Sequence, residues 1–160
     1  MNNTRGFLSR RRALALLAVA LGLAVLIVLW PRGTPEEQVV SVLTEIADAA
    51  ERKDVGGCMR HVSQDYHDSR GNTKTELTRR AWGGFRQVGE LAVALYVTQV
   101  TVEKDQATVH LGLEVEECKE GAQPRTVSTS VTVKLRKERW RWRVVNAEGW
   151  QTASDELEQL

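Results

Sequence analysis

The sequence predicts an α+β domain in which one curved antiparallel sheet wraps three N-terminal helices, with a single transmembrane helix ahead of it. Three observations predict this. Apolar residues recur at helical spacing between Pro35 and Phe85. After Glu90 the period becomes two and stays so through four successive segments joined by short loops. Ahead of both lies an uncharged run from Ala13 to Trp30 that is apolar throughout except for Gly22.

That run holds 18 residues. As a helix it would be about 27 Å long, close to the roughly 30 Å of a bilayer's hydrocarbon core. Arg5, Arg10, Arg11 and Arg12 precede it, whereas only Arg32 follows closely and Glu36 and Glu37 come soon after. This asymmetry places residues 1–12 in the cytoplasm and the domain on the far side of the membrane. A cleaved signal peptide would carry a shorter apolar core, about 7–15 residues, ending in a small-residue site. Leu29-Trp30-Pro31-Arg32 is a poor site of that kind, and Trp30 suits a membrane–water interface. The expected organisation is a basic cytoplasmic stretch (1–12), a retained single-pass anchor (13–30), a hinge (31–34), the domain (35–150) and an acidic tail (151–160). The expected address is the inner (cell) membrane, with the C-terminal domain extracytoplasmic.

The formal charge of +1, from 22 basic and 21 acidic residues, averages two unlike parts. Five of the arginines and none of the acids fall in 1–32, so the remainder carries 17 basic against 21 acidic residues, about −4. Such a balance gives no electrostatic footprint for nucleic acid. The remaining length suffices for one core. Cys58 and Cys118 are the only two cysteines. Outside the cytoplasm they could form a disulfide, or each could be a small buried hydrophobe. Neither sits in a metal-ligand spacing, and no metal or cofactor is expected.

Each element has its own signal. Thr34, Pro35 and Glu37 supply a cap, a proline at the first helical position and a capping box, and Val39, Leu43, Ile46, Ala47 and Ala50 follow as one apolar stripe. Glu51-Arg52-Lys53 closes this first helix. Asp54 caps a short second helix expected over Gly57 to Val62. The polar stretch from Ser63 to Asn72 ends in turn chemistry. Thr73 and Glu76 form another capping box, and Leu77, Ala81 and Phe85 line one face of a third helix with Trp82 alongside.

In the strand region, Leu91, Val93, Leu95 and Val97 alternate in one phase, and Val100 and Val102 in the other. The switch predicts a bulge or sharp bend in one long strand. Lys104-Asp105-Gln106 turns the chain into Val109, Leu111, Leu113 and Val115. A loop through Gly121 and Pro124 leads to Val127, Thr129, Val131, Val133 and Leu135. A turn at Arg136-Lys137-Glu138 is expected next, then a last strand carrying Trp140, Trp142 and Val144 on one face. Short connections imply antiparallel neighbours, and the apolar sheet face requires the helices to cover it.

The order of elements, the turn Val62-Ser63-Gln64-Asp65-Tyr66, the segment Gly71-Asn72-Thr73-Lys74-Thr75-Glu76-Leu77 and the closing Trp140-Arg141-Trp142-Arg143-Val144-Val145 together resemble the nuclear transport factor 2-like (SnoaL-like) superfamily over about residues 35 to 150. The resemblance implies a cone-shaped domain with a pocket inside and a very short extra strand around Tyr66. It implies no single activity, because that superfamily holds isomerases, dehydratases, cyclases, transport receptors and secretion scaffolds. A cytoplasmic N-terminus, one span and an outer cone also look like type IV secretion scaffolds and the small accessory proteins of lipid-import systems.

Asp65, Tyr66 and His67 form the densest group of chemically capable side chains. A pocket carboxylate taking a proton from carbon while a tyrosine stabilises the oxyanion is the logic of ketosteroid isomerase, which shares the fold implied here. Adjacent residues of an extended chain point to opposite sides, however. Asp65 and Tyr66 are then poor partners, and the simpler expectation is that Tyr66 fills the core while Asp65 and His67 face water. Tyr66, Trp82, Phe85, Trp140 and Trp142 are the expected lining or filling of the cone. Lys134, Arg136, Arg139, Arg141 and Arg143 are expected as a basic stripe on the outer face, beside Thr126, Ser128, Ser130 and Thr132, on a surface suited to a second copy. The chain carries no P-loop, no G-x-G-x-x-G and no G-x-S-x-G. The reading is a non-catalytic binding or assembly module of the cell envelope, working as a homodimer or with envelope partners. The alternative is a lyase, isomerase or lipid-binding accessory that holds a hydrophobic small ligand.

Overall fold

The computed structural model describes residues 33–118 and 123–149. The predicted anchor at 13–30, residues 31 and 32 of the hinge, Gly121, Trp150 and the tail lie outside these. Among the described residues no helix is long and apolar enough to cross a membrane.

Helix α1 (Pro35–Glu51) starts where its capping box directs. The Thr34 hydroxyl accepts from Glu37 N at 3.2 Å, and the Glu37 carboxylate accepts from Thr34 N at 2.9 Å, so two of the first turn's orphan donors are satisfied. Its buried stripe is Val39, Leu43, Ala47 and Ala49. Ala49 replaces the expected Ala50 because α2 packs there: a Cβ on Gly57 would stand 2.9 Å from the Ala49 methyl. Helix α2 (Val55–Met59) begins two residues before the expected position. Asp54 accepts from Gly57 N at 2.8 Å, which makes Gly57 the third helical residue. Val62 leaves the helix and forms a parallel bridge to Val144. Helix α3 (Lys74–Gln87) opens with Glu76 accepting from both Thr73 N (2.6 Å) and Thr73 Oγ1 (2.8 Å).

Strands β1 (Glu90–Glu103), β2 (Gln106–Cys118), β3 (Arg125–Glu138) and β4 (Arg141–Glu148) form one sheet in the order β1-β2-β3-β4, each pair antiparallel. The predicted phase switch in β1 is a bulge at Thr98. Val97 pairs with Leu111 and Gln99 with His110, and the Thr98 hydroxyl donates to His110 O at 2.9 Å. A second irregularity, between Lys134 and Leu135 opposite Asn146 and Val144, frees Val145 O to accept from His67 N at 3.0 Å. With Ser63 N donating to Val144 O at 2.9 Å and Val144 N to His61 O at 2.9 Å, residues 61–67 cover the free edge of β4. The very short extra strand implied around Tyr66 is reduced here to isolated bridges at Val62 and His67, which cap the β4 edge at Val144 and Val145. The core is continuous from α1 to the sheet: Val39, Leu43, Val62 and Tyr66 pack on Val109, Leu111, Val131, Val133, Leu135, Trp142 and Val144.

The β3–β4 turn differs from expectation. β3 runs through Glu138, which pairs with Arg141, so the turn is the two residues Arg139 and Trp140 and not 136–138. Trp140 therefore does not share the strand face of Trp142 and Val144. It stands 83% exposed, while Trp142 is 3% exposed.

Candidate functional site

The segment carrying the expected chemistry is organised by a residue that the sequence did not single out. The Asp68 carboxylate accepts from Arg70 N at 2.9 Å, Asn72 N at 2.8 Å and Asn72 Nδ2 at 2.8 Å. Gly71, at φ +77°, donates its N–H to Asp68 O at 3.0 Å. Asp68 with Gly71-Asn72 three residues on is the local signal for such a side-chain-closed turn, and it was legible as turn chemistry only.

Asp65, Tyr66 and His67 are then separated. Tyr66 is 1% exposed and belongs to the core, whereas Asp65 and His67 are exposed. The Asp65 carboxylate accepts from Arg136 Nη2 at 2.6 Å. The same guanidinium nitrogen reaches Glu138 Oε1 at 2.8 Å, and Glu138 Oε2 stands 3.4 Å from Arg143 Nε. Ser63, itself buried, donates its hydroxyl to Glu138 at 2.5 Å. His67 Nδ1 lies 2.6 Å from Asp65 O, and His67 O accepts from Asn146 Nδ2 at 2.8 Å. These contacts join residues 61–67 to β3 and β4 on the side away from Tyr66. The hydrogen bond from Ser63, then that from Arg136, hold the Glu138 carboxyl below its ordinary pKa. No proton-abstracting pair facing a common substrate position results.

The basic stripe divides in the same way. Arg136 and Arg143 are consumed by the network, and Lys134 lies 3.9 Å from Glu148. Lys74 enters from α3, its ammonium donating to Val62 O at 2.8 Å. Burial lowers its pKa, and the nearby Arg143 lowers it further.

The expected cone lining is split. Trp142 is core, its indole N–H without a hydrogen-bond partner among the described residues and the Lys137 ammonium 5.8 Å from its ring centroid. Phe85 is half-buried, Trp82 is 59% exposed, and α3 as a whole buries no residue. Trp82 and Trp140 thus do not fill the interior, the first because its helix packs only along the Leu77 side and the second because it sits in a turn. Beneath β3 and β4 the interior is packed by Tyr66, Leu135 and Trp142. Toward β1 it is thinner, where Leu91, Val93 and Leu95 are half-buried and Val97 is 38% exposed.

Cys58 and Cys118 are both free in this structure and not bridged. Cys58 faces α1, its thiol 3.7 Å from Ile46 O, while Cys118 ends β2 opposite Glu90. Burial pushes the Cys58 thiol up from its ordinary pKa, with Asp54 adding to it. His110 pairs with Thr132 Oγ1 at 3.0 Å. Among the described residues no three of His, Cys, Asp and Glu gather as a metal site.

Solved structures share this architecture at low identity. A conserved protein from Planctomyces limnophilus superposes with a TM-score of 0.64 at 12% identity, over 70% of this chain and 91% of that one. A ketosteroid isomerase-like protein from Erwinia carotovora atroseptica gives 0.60 at 17%, over 72% and 95%. A nuclear transport factor 2-like protein of unknown function from Shewanella oneidensis gives 0.59 at 17%, over 72% and 98%. No protein-family model and no curated protein matches the chain. The fold is therefore nuclear transport factor 2-like, and at these identities the likeness extends to the fold alone.

Proposed function

We propose that this nuclear transport factor 2-like domain is tethered outside the cytoplasmic membrane by residues 13–30 and acts as a non-catalytic binding or assembly module of the cell envelope. One observation carries the reading. The side chains able to do acid–base chemistry, Asp65 and His67, face outward and are engaged in joining a segment to the sheet, while Tyr66 faces the core. An interior built from such packing gives a rigid platform, and rigid platforms suit assembly. The outer sheet face offers small polar groups for a second copy or an envelope partner: Ser128, Ser130 and Thr132 beside His110 and the half-exposed Tyr96.

The experiment is affinity capture from native membranes after crosslinking in cells. Recovery of a dimer or of envelope proteins is expected, and monomer alone in every condition defeats the assembly role. Reporter fusions at the C-terminus test the topology, and activity of a cytoplasmic reporter there reverses the orientation. The thin cover over Leu91, Val93, Leu95 and Val97 favours a second reading, a hydrophobic small ligand or a lyase or isomerase substrate held beside β1. Saturable binding of an apolar fluorescent probe that Val97→Asp abolishes would move the weight to that reading.

A further inference from the structure

The β3–β4 turn breaks the rules of its own geometry. A two-residue hairpin turn requiring positive φ favours Asn, Asp or Gly, yet here the residues are Arg139, at φ 58°, and Trp140, the most exposed large apolar residue described. A left-handed arginine costs stability, and an indole left in water forgoes burial. Neither choice helps the fold, and local rules broken without a folding gain mark functional positions. Arg141 follows at the start of β4, also exposed. Unlike those of Arg136 and Arg143, the side chains of Arg139 and Arg141 make no ion pair or hydrogen bond among the described residues. The tip therefore presents one indole between two guanidiniums that no carboxylate among the described residues pairs.

We infer that the Arg139-Trp140-Arg141 tip docks into the anionic lipid surface of the membrane that holds the chain. The inference rests on the tethered reading above. The chemistry of the tip selects this partner. Tryptophan is favoured at the boundary between headgroups and acyl chains, and unpaired arginines are drawn to anionic headgroups. A convex tip has no walls to enclose a free phosphate. It is also far smaller than the roughly 1,200 Å² that a stable protein interface buries. A weak lipid contact suffices, because a tether of a few residues keeps the domain at high local concentration beside the bilayer. Docking there would fix how the domain is presented to its partners.

The full chain reconstituted into phosphatidylcholine vesicles, with and without phosphatidylglycerol, tests this. Tryptophan emission is measured against lipids carrying a nitroxide near the headgroup, and the difference between wild type and Trp140→Phe isolates the Trp140 signal. That signal is expected to fall about two-fold in phosphatidylglycerol vesicles, to recover in high salt and to be unquenched in the Arg139→Gln, Arg141→Gln variant. Equal quenching with and without phosphatidylglycerol, or none in either, overturns the inference. The variants' melting curves should match wild type because all three side chains are exposed. Alkaline extraction separates the two readings. A chain that resists extraction but shows no Trp140 quenching keeps its anchor and loses this site. One that washes off yet is quenched in anionic vesicles loses the anchor and keeps the site.

Discussion

Tyr66 shows how a single side chain's direction decides what its neighbours can do. It is buried to 1% exposure, so Asp65 and His67 on either side must point out, where Arg136 and the backbone engage them. His61, close by, is a residue whose protonation should be felt in stability. It stands 3.3 Å from Glu45 of α1, with Arg60, Arg141 and Arg143 around it. Burial lowers its pKa, and although Glu45 opposes this, the net direction is down. The unfolded chain therefore takes up the proton first, and stability present above about pH 6.5 is lost progressively as pH falls toward the folded value. Melting temperature should drop on acidification from about pH 7 to 5 in the wild type and less in His61→Gln. Glu138, with its depressed pKa, contributes at a separate, lower window: its stabilisation is present above the ordinary carboxylate pKa and lost below it. The cysteines give a chemical check. Iodoacetamide on the native chain should label Cys118 and spare the buried, high-pKa Cys58, since the thiolate is the nucleophile. Both should react after denaturation, and a non-reducing gel should show no internal crosslink.

At the scale of elements, caps and turns place the boundaries. Thr34 with Glu37, Asp54 and Thr73 with Glu76 fix the three helix starts, each through hydrogen bonds that local sequence can supply. The end of β4 depends on something local sequence cannot reveal. Gly149 adopts φ +94°, and a Cβ there would overlap the Ser130 carbonyl oxygen of β3. Gly149→Ala combines a left-handed penalty with a backbone collision. It should cost about 2 kcal/mol or more, read by urea denaturation, whereas Gly71→Ala, with open space around it, should cost about 1 kcal/mol from its φ alone.

For the whole molecule, stability and exposed function occupy different places. The core joins α1 to the sheet, while α3 buries no residue fully and meets the core through the half-buried Leu77. Leu135→Ala, at 1% exposure, should cost about 2–5 kcal/mol. Trp82→Ala, on α3, should change stability by less than about 0.5 kcal/mol, and the pair compared in one denaturation series tests that division. The capped helices, the period-two strands, the bulge near Val97 and the antiparallel order were legible in the sequence, because each follows from spacing and from contacts between near neighbours. The β3–β4 turn was not: neither Arg136-Lys137-Glu138 nor Arg139-Trp140 holds a preferred turn former, and only the pairing of Glu138 with Arg141 separates them. The network of Ser63, Asp65, Arg136, Glu138 and Arg143 joins residues up to 80 positions apart (Ser63 to Arg143), a distance over which sequence pattern carries no register. Sequence alone determined which residues alternate, where chains cap and where a membrane-length apolar run lies, since those depend on the period of each element and on solvent preference. Only the tertiary structure decided that Trp142 enters the core while Trp140 leaves it, that the cysteines stay apart and that Asp65 is held by Arg136, because each depends on which strands meet and in what register.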